Sequence, residues 1–162
     1  SGSARPWPYW APATLRASPP MKKSVTTMVN EALALITTHS VDAARALHGQ
    51  PGVQFVDLRD PRELEHEGAI PGAFHAPRGM LEFWVDTESP YHKPVFNQPG
   101  TQYVLFCAGG WRSALAARTM LEMGIEQVSH IHGGFGAWKA AGGPVEQKAA
   151  RPPRAEPGAA AA

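Results

Sequence analysis

Residues 102–113 read QYVLFCAGGWRS and contain the strongest strand signal in the chain. The first five of these residues are mostly apolar and favour extended backbone, which predicts a buried strand that runs directly into Cys107. Two glycines follow the cysteine, and we expect a helix from near Ser113 to Met123. A strand, a tight loop and a helix in direct succession are typical of an α/β fold.

Strand and helix patterns alternate on both sides of this segment. The other predicted elements are a helix over residues 25–36, a helix over 41–47, a strand over 53–58, a helix over 61–67, a short strand over 73–76, a strand over 128–131 and a helix over 135–141. The alternation predicts the α/β class, with a mainly parallel sheet covered by helices on both faces.

The composition excludes several classes of protein. The chain has 162 residues, of which 43% are hydrophobic, and this suffices for one domain with a sizeable core. Its formal charge of +1 gives no general reason to expect binding to nucleic acid or to an acidic membrane. Since Cys107 is the one cysteine, an intramolecular disulfide, a C-x-x-C redox pair and a cysteine-rich zinc site are all excluded.

The two ends of the chain are predicted to lie outside the folded domain. Residues 1–20 are rich in proline, and we expect a disordered or expression-derived leader. Residues 21–37 are predicted to be a helical extension, residues 38–146 the folded domain, and residues 147–162, rich in Ala, Pro and Gly, a disordered tail. Because no apolar run is long enough to span a bilayer and no signal-peptide pattern is evident, a cytoplasmic location is expected.

The loop after Cys107 favours a reactive thiol over an inert one. A lone cysteine is most often a small buried apolar residue, but simple packing gains nothing from Gly109, Gly110 and Arg112. Glycines let successive N–H groups turn inward, and with the following helix N-terminus they form a site for an anion. Arg112 adds a positive charge, so the sequence predicts that Cys107 is stabilised as a thiolate.

The spacing of this loop bears on the type of reaction. Cysteine phosphatases commonly place five residues between the cysteine and the arginine, whereas four residues separate Cys107 from Arg112. The tighter ring suits one additional sulfur atom better than a phosphate, which disfavours a cysteine phosphatase or an arsenate reductase. A sulfur relay between anionic species also requires no catalytic base.

The sequence resembles the rhodanese family at three motifs in the expected order. The motifs are VDLR over residues 56–59 with GAIPGA over 68–73, then CAGGWRS over 107–113, then GGFGAW over 133–138 followed by GPV over 143–145. The resemblance covers roughly residues 38–146 and implies a rhodanese-like fold, a five-stranded, mainly parallel sheet with helices on both faces.

The resemblance also implies an activity and a set of site residues. Members of the family are sulfurtransferases that move sulfane sulfur from donors such as thiosulfate to a thiophilic acceptor such as cyanide, through a cysteine persulfide. By this resemblance Cys107 carries the sulfur, and Asp57 and Arg59 support the loop. The backbone N–H groups that form the cradle are those of Ala108, Gly109, Gly110, Trp111, Arg112 and Ser113.

Two departures from the family pattern affect the expected substrate. Ala69 replaces the histidine of the usual Gly-His-Ile-Pro motif. The position after Cys107, often basic in members that use thiosulfate, is Ala108, and the bulky Trp111 lies further along the loop. A protein persulfide or a low-molecular-weight persulfide is therefore as good a candidate donor as thiosulfate. A module that binds persulfide without turnover and docks to a protein partner is the alternative to an enzyme.

Neither a cofactor nor a metal is expected. His130 and His132 lie on one predicted strand, but no acid or cysteine has ligand spacing to them, so we expect a solvent-facing or hydrogen-bonded pair. Trp138 is predicted to be core. Residues 78–99 form a long connection in which Phe83 and Trp84 are expected to cover the domain, while Lys93 and Trp111 stay open as substrate contacts.

Overall fold

A computed structural model describes residues 19–149 of the protein. The predicted leader falls almost entirely outside the described residues, as does most of the predicted C-terminal tail. In chain order the elements are α1 (Val25–Leu35), β1 (Thr37–His39), α2 (Val41–Leu47), β2 (Val53–Asp57), α3 (Pro61–Glu67), β3 (Phe74–His75), α4 (Leu81–Val85), β4 (Gln102–Phe106), α5 (Trp111–Glu122), β5 (Val128–Ile131) and α6 (Gly134–Ala140).

The strands form one sheet in the order β1-β5-β4-β2-β3, and every pairing is parallel. The predicted α/β class and parallel sheet are therefore confirmed. Strand β4 lies at the centre, with β5 on one side and β2 on the other, which explains why its residues form a continuous apolar run. The residue that follows it, Cys107, stands at the carboxyl edge of the sheet, where open α/β sheets bind ligands.

Two apolar cores cover the two faces of the sheet. One contains Leu105, residues of α4 and the buried side of α5, and the other contains Phe106, Phe135 of α6 and Trp138. Trp138 is completely buried, as predicted. Because each face buries its own apolar cluster, the central strand is fixed in place from both sides.

Helix α1 packs outside the first core, against α5. Its Val29 and Ala32 are buried together with Ala114. Ser24 caps its first turn by accepting a hydrogen bond from the backbone N–H of Thr27 at 3.1 Å. Within residues 19–149, no helix combines the length and the apolar character needed to cross a membrane.

The long connection over residues 78–99 is a packed cover that contains helix α4. Leu81 and Phe96 are buried in it, and Trp84 packs against the first core, as expected. Phe83 is different, because 53% of its surface is exposed and its ring contacts Tyr91, which is 61% exposed. The expectation that Phe83 covers the core is therefore wrong.

One helix start differs from the predicted position by two residues, and one strand was not predicted. Helix α5 begins at Trp111 and not near Ser113, because Gly110 in the left-handed region (φ 106°) starts it directly after the loop. Strand β1 was not predicted at all. It consists of three mostly exposed residues at the edge of the sheet, so it has no apolar alternation to mark it.

Candidate active site

Cys107 is held at the floor of a tight loop between β4 and α5. Its side chain is 1% exposed, and its Sγ accepts hydrogen bonds from the backbone N–H of Gly110 at 3.1 Å and of Ser113 at 3.4 Å. The hydroxyl Oγ of Ser113 lies 3.6 Å from the same sulfur. Two of the six N–H groups predicted for the cradle therefore reach Sγ, and together with the start of α5 they favour negative charge on the sulfur.

The loop keeps its shape because the glycine-rich turn over residues 133–136 packs directly against it. The backbone N–H of Phe135 donates to the carbonyl oxygen of Cys107 at 2.7 Å, and that of Gly136 donates to Ala108 O at 3.1 Å. This close approach explains Gly134, where a Cβ atom would collide with the carbonyl oxygen of Cys107. The glycine-rich motif of residues 133–136 therefore serves the cysteine loop, although it lies more than 25 residues further along the chain.

Arg112 does not act on the sulfur as an unpaired charge. Its Nη1 and Nη2 atoms each donate to a carboxylate oxygen of Glu63 at 3.1 Å. This double hydrogen bond raises the pKa of Arg112 above its usual value. The same carboxylate accepts a hydrogen bond from Asp60 N at 3.2 Å, as part of the capping box of α3. Glu63 thus compensates part of the positive charge that Arg112 brings to the anion site, and the N–H groups are the donors that contact Sγ.

Asp57 and Arg59 form a fully buried ion pair at the end of β2. Both side chains are 1% exposed, and Arg59 Nε and Nη2 donate to the two carboxylate oxygens of Asp57 at 3.0 and 2.8 Å. Nη2 also donates to Gly68 O at 2.8 Å. The guanidinium lies 4.0 Å from the ring centre of Phe135, the residue whose N–H holds Cys107 O. The pair therefore touches the loop through Phe135, which is consistent with a supporting position.

His130 lies behind the sulfur, where sequence reasoning did not place it. Its Nδ1 is 2.9 Å from Ser113 Oγ, and its Nε2 is 2.9 Å from Oγ1 of Thr38 on β1. Of the pair expected to be solvent-facing or hydrogen-bonded, His130 is hydrogen-bonded and His132 is exposed just beyond the strand. Among the described residues no cluster of three or more His, Cys, Asp or Glu side chains could hold a metal ion.

Burial keeps His130 uncharged. Desolvation, together with the neighbouring His132 and His39, lowers its pKa from 6.5 to about 4. A ring with this pKa is neutral at physiological pH, so it has one N–H donor and one acceptor nitrogen.

The depressed pKa of His130 predicts a pH dependence of stability. In the unfolded chain the ring takes up a proton as the pH falls below 6.5, whereas the folded ring resists protonation until about pH 4, so stability present above pH 6.5 is lost over this window. The shift corresponds to about 3 kcal/mol. Urea unfolding at a series of pH values should show that wild type loses about 3 kcal/mol more than His130→Asn between neutral pH and pH 4. Parallel stability curves for the two proteins would contradict the assignment.

The opening above the sulfur is lined by Cys107, Gly109, Trp111 and Arg112. Trp111 is 54% exposed and forms part of its rim, while Ala108 and Gly109 are exposed on the loop itself. Lys93, considered above as an anion contact, lies 5.1 Å from the ring centre of Trp84 and is not among the lining residues. The opening therefore presents one apolar ring, one paired cation and backbone N–H groups.

A cysteine at the carboxyl edge of a central parallel strand, in a C-x-x-G-x-R-S loop supported by a Gly-Gly turn, defines a rhodanese-type α/β domain. Residues 40–141 match the family described as Rhodanese-like domain, and the chain belongs to that family. Over 107 residues it is 33% identical to the thiosulfate sulfurtransferase GlpE of Vibrio cholerae, covering 65% of this chain and 91% of the relative.

Solved structures with the same fold include proteins of different description. One is a Rhodopseudomonas palustris protein of unknown function described as a possible tyrosine phosphatase, which is 50% identical with a TM-score of 0.78 over 81% of this chain and 100% of that chain. Another is the polysulfide-sulfur transferase of Wolinella succinogenes, which is 28% identical with a TM-score of 0.58 over 74% of this chain and 85% of that chain.

Proposed function

We propose that this protein is a sulfurtransferase in which Cys107 carries sulfane sulfur as a persulfide. One observation carries the proposal. The sulfur of Cys107 is held by two backbone N–H groups at the floor of an opening whose described lining residues include no carboxylate and no histidine. Such a site stabilises anionic sulfur but offers no general acid or base, which fits transfer between sulfur anions that need no proton.

The reaction balances without any further group. The Cys107 thiolate attacks the outer sulfur of thiosulfate, the sulfur–sulfur bond of the donor breaks, and sulfite leaves with the electron pair. Cyanide or a thiolate then attacks the terminal sulfur of the persulfide, and the Cys107 thiolate is regenerated. The N–H groups of Gly110 and Ser113 support the anion in both states.

For the sulfur donor we propose a chemical class and not one compound. The family likeness to GlpE supports thiosulfate, and the likeness to a polysulfide-sulfur transferase supports a polysulfide or persulfide. Because Glu63 pairs with Arg112, a doubly charged donor finds less positive charge at the opening than Arg112 alone would supply. We therefore favour a protein persulfide or a low-molecular-weight persulfide, whose reacting sulfur carries one negative charge, as the donor in the cytoplasm.

The test is a two-step assay on the full chain. Incubation with thiosulfate or polysulfide should increase the mass of the protein by one sulfur atom, and cyanide should then remove this sulfur as thiocyanate, with repeated turnover. A mass gain without turnover would replace the enzyme by a persulfide-binding module that docks to a protein partner. No mass gain with either donor would contradict the proposal.

A cysteine phosphatase is the second candidate, because the Rhodopseudomonas palustris structure at 50% identity is described as a possible tyrosine phosphatase. A phosphatase needs an arginine that is free to bind phosphate and commonly an acid that protonates the leaving group. Here Arg112 is engaged by Glu63, and four residues separate it from Cys107. Hydrolysis of p-nitrophenyl phosphate, lost in Cys107→Ser, would favour this function over sulfur transfer.

A further inference from the structure

A chain of hydrogen-bonding side chains leads away from the sulfur, on the side opposite the opening. It runs from Cys107 Sγ to Ser113 Oγ at 3.6 Å, on to His130 Nδ1 at 2.9 Å, and from His130 Nε2 to Thr38 Oγ1 at 2.9 Å. Cys107, Ser113 and His130 are between 0% and 2% exposed, whereas Thr38 lies at the surface on β1. The chemistry proposed above uses none of the last three side chains.

The neutral ring of His130 can join this chain in two ways. With the proton on Nε2, the ring donates to Thr38, and Nδ1 takes the single hydrogen of the Ser113 hydroxyl. Ser113 Oγ then has only lone pairs to offer Cys107, which suits a thiol and opposes an anion. With the proton on Nδ1, the ring donates to Ser113, Thr38 donates to Nε2, and the hydroxyl hydrogen of Ser113 is released.

We propose that His130 is a positioning residue, which in its Nδ1–H form turns the hydroxyl of Ser113 towards Cys107 as a third hydrogen-bond donor to the sulfur anion. The carbonyl oxygen of Gly110, 3.2 Å from Ser113 Oγ, competes for this hydrogen. A charged acceptor forms the stronger hydrogen bond, so the anion redirects it. In this tautomer Thr38 completes the arrangement by donating to Nε2 at 2.9 Å.

The groups that face this chain do not replace His130 in the role. The titratable neighbours of the ring are His39 on β1 and His132 just past β5, and both act to keep it uncharged. Arg112 acts on the sulfur from the side of the opening and is paired with Glu63. The inference deepens the proposed function. It rests on that function only in so far as the sulfur anion at Cys107 is a persulfide.

The first test reads the tautomer directly. Ring ¹⁵N shifts of the labelled full chain, at mildly alkaline pH with Cys107 reduced, should place the proton of His130 on Nδ1, with His130→Asn identifying its signals. A proton on Nε2 under these conditions would overturn the proposal.

The second test measures how fast iodoacetamide alkylates Cys107 at one fixed pH. Loss of a hydrogen bond to a charged group should slow the reaction about tenfold in Ser113→Ala and in His130→Leu. His130→Asn keeps an N–H near the position of Nδ1 and should stay within about twofold of wild type. Equal rates for His130→Leu and His130→Asn would overturn the proposal.

Variants of Thr38 test the proposal even if a variant of buried Ser113 or His130 folds poorly. The side chain of Thr38 is exposed on an edge strand. Thr38→Val removes the hydroxyl with little change in shape and should slow alkylation about threefold, whereas Thr38→Ser retains the hydroxyl and should react like wild type. Identical rates for the Val and Ser variants would overturn the part of the proposal in which Thr38 donates to His130.

These readouts separate the inference from the proposed function. If the protein acquires no sulfur but the alkylation rates follow the expected order, sulfur transfer is wrong and the positioning of the thiolate by His130 stands. If sulfur transfer proceeds and His130→Leu equals wild type in both alkylation and persulfide formation, the inference fails and the function stands.

Discussion

Cys107→Ser should abolish thiocyanate production, with a loss of at least about a thousandfold, because a serine hydroxyl neither ionises at neutral pH nor forms a persulfide. The fold should survive the change. The new hydroxyl is nearly the size of the thiol and can accept the hydrogen bond that Gly110 N now donates to Sγ at 3.1 Å. The expected result is an inactive protein with a melting temperature close to that of wild type.

The mass of the protein tests this prediction directly, because the chain has one cysteine. Any gain of a sulfur atom by Cys107→Ser after incubation with thiosulfate would show that the sulfur resides elsewhere. Cys107→Ala is the matched control: it also removes the sulfur but leaves Gly110 N–H and Ser113 N–H without their acceptor. We expect it to be equally inactive and less stable than Cys107→Ser.

Local patterns sufficed to predict the centre of the fold. The apolar run that forms β4 is buried on both faces of the sheet. A strand in this position shows a continuous apolar sequence, which is easy to identify. Helices α2 and α3 begin where they were predicted, and Ser40 and Asp60 cap them through contacts between residues two or three positions apart. Strand β1 lacks both signals, since it is short and mostly exposed.

In the candidate site, too, local contacts could be predicted from the sequence and contacts between distant residues could not. The N–H groups that reach Cys107 belong to the next six residues, so the loop could be predicted from its glycines and spacing. The pair of Glu63 and Arg112 joins residues 49 positions apart, and the contact of His130 with Thr38 spans 92. Neither has a local pattern, because only the order of strands in the sheet brings these residues together. The partner of Arg112 could not be predicted for this reason, whereas its positive charge near Cys107 could.

Asp57→Ala should destabilise the protein by about 3–5 kcal/mol, because it leaves the Arg59 guanidinium buried without its counter-charge. Arg59 is 1% exposed, and its remaining contacts are Gly68 O and the aromatic rings of Phe135 and Phe106. These cannot replace a carboxylate that accepts two side-chain hydrogen bonds. Urea unfolding at neutral pH measures the change.

An exposed pair provides the matched control. Lys139 and Glu67 are 3.7 Å apart with side chains 52% and 61% exposed, so Glu67→Ala should change stability by less than about 1 kcal/mol. If Asp57→Ala costs no more than Glu67→Ala, the buried position of the pair contributes nothing and the supporting role assigned to it is wrong.

A double variant distinguishes the loss of an ion pair from the effect of leaving one buried charge without its counter-charge. Asp57→Ala combined with Arg59→Met removes both charges and should recover a large part of the stability lost in Asp57→Ala, because no buried charge is then left uncompensated. Sulfur transfer should not recover in parallel. The guanidinium packs on Phe135, whose N–H holds the carbonyl oxygen of Cys107 at 2.7 Å, and a flexible methionine fixes that ring less firmly. Full recovery of activity together with stability would show that the pair supports the fold but not the cysteine loop.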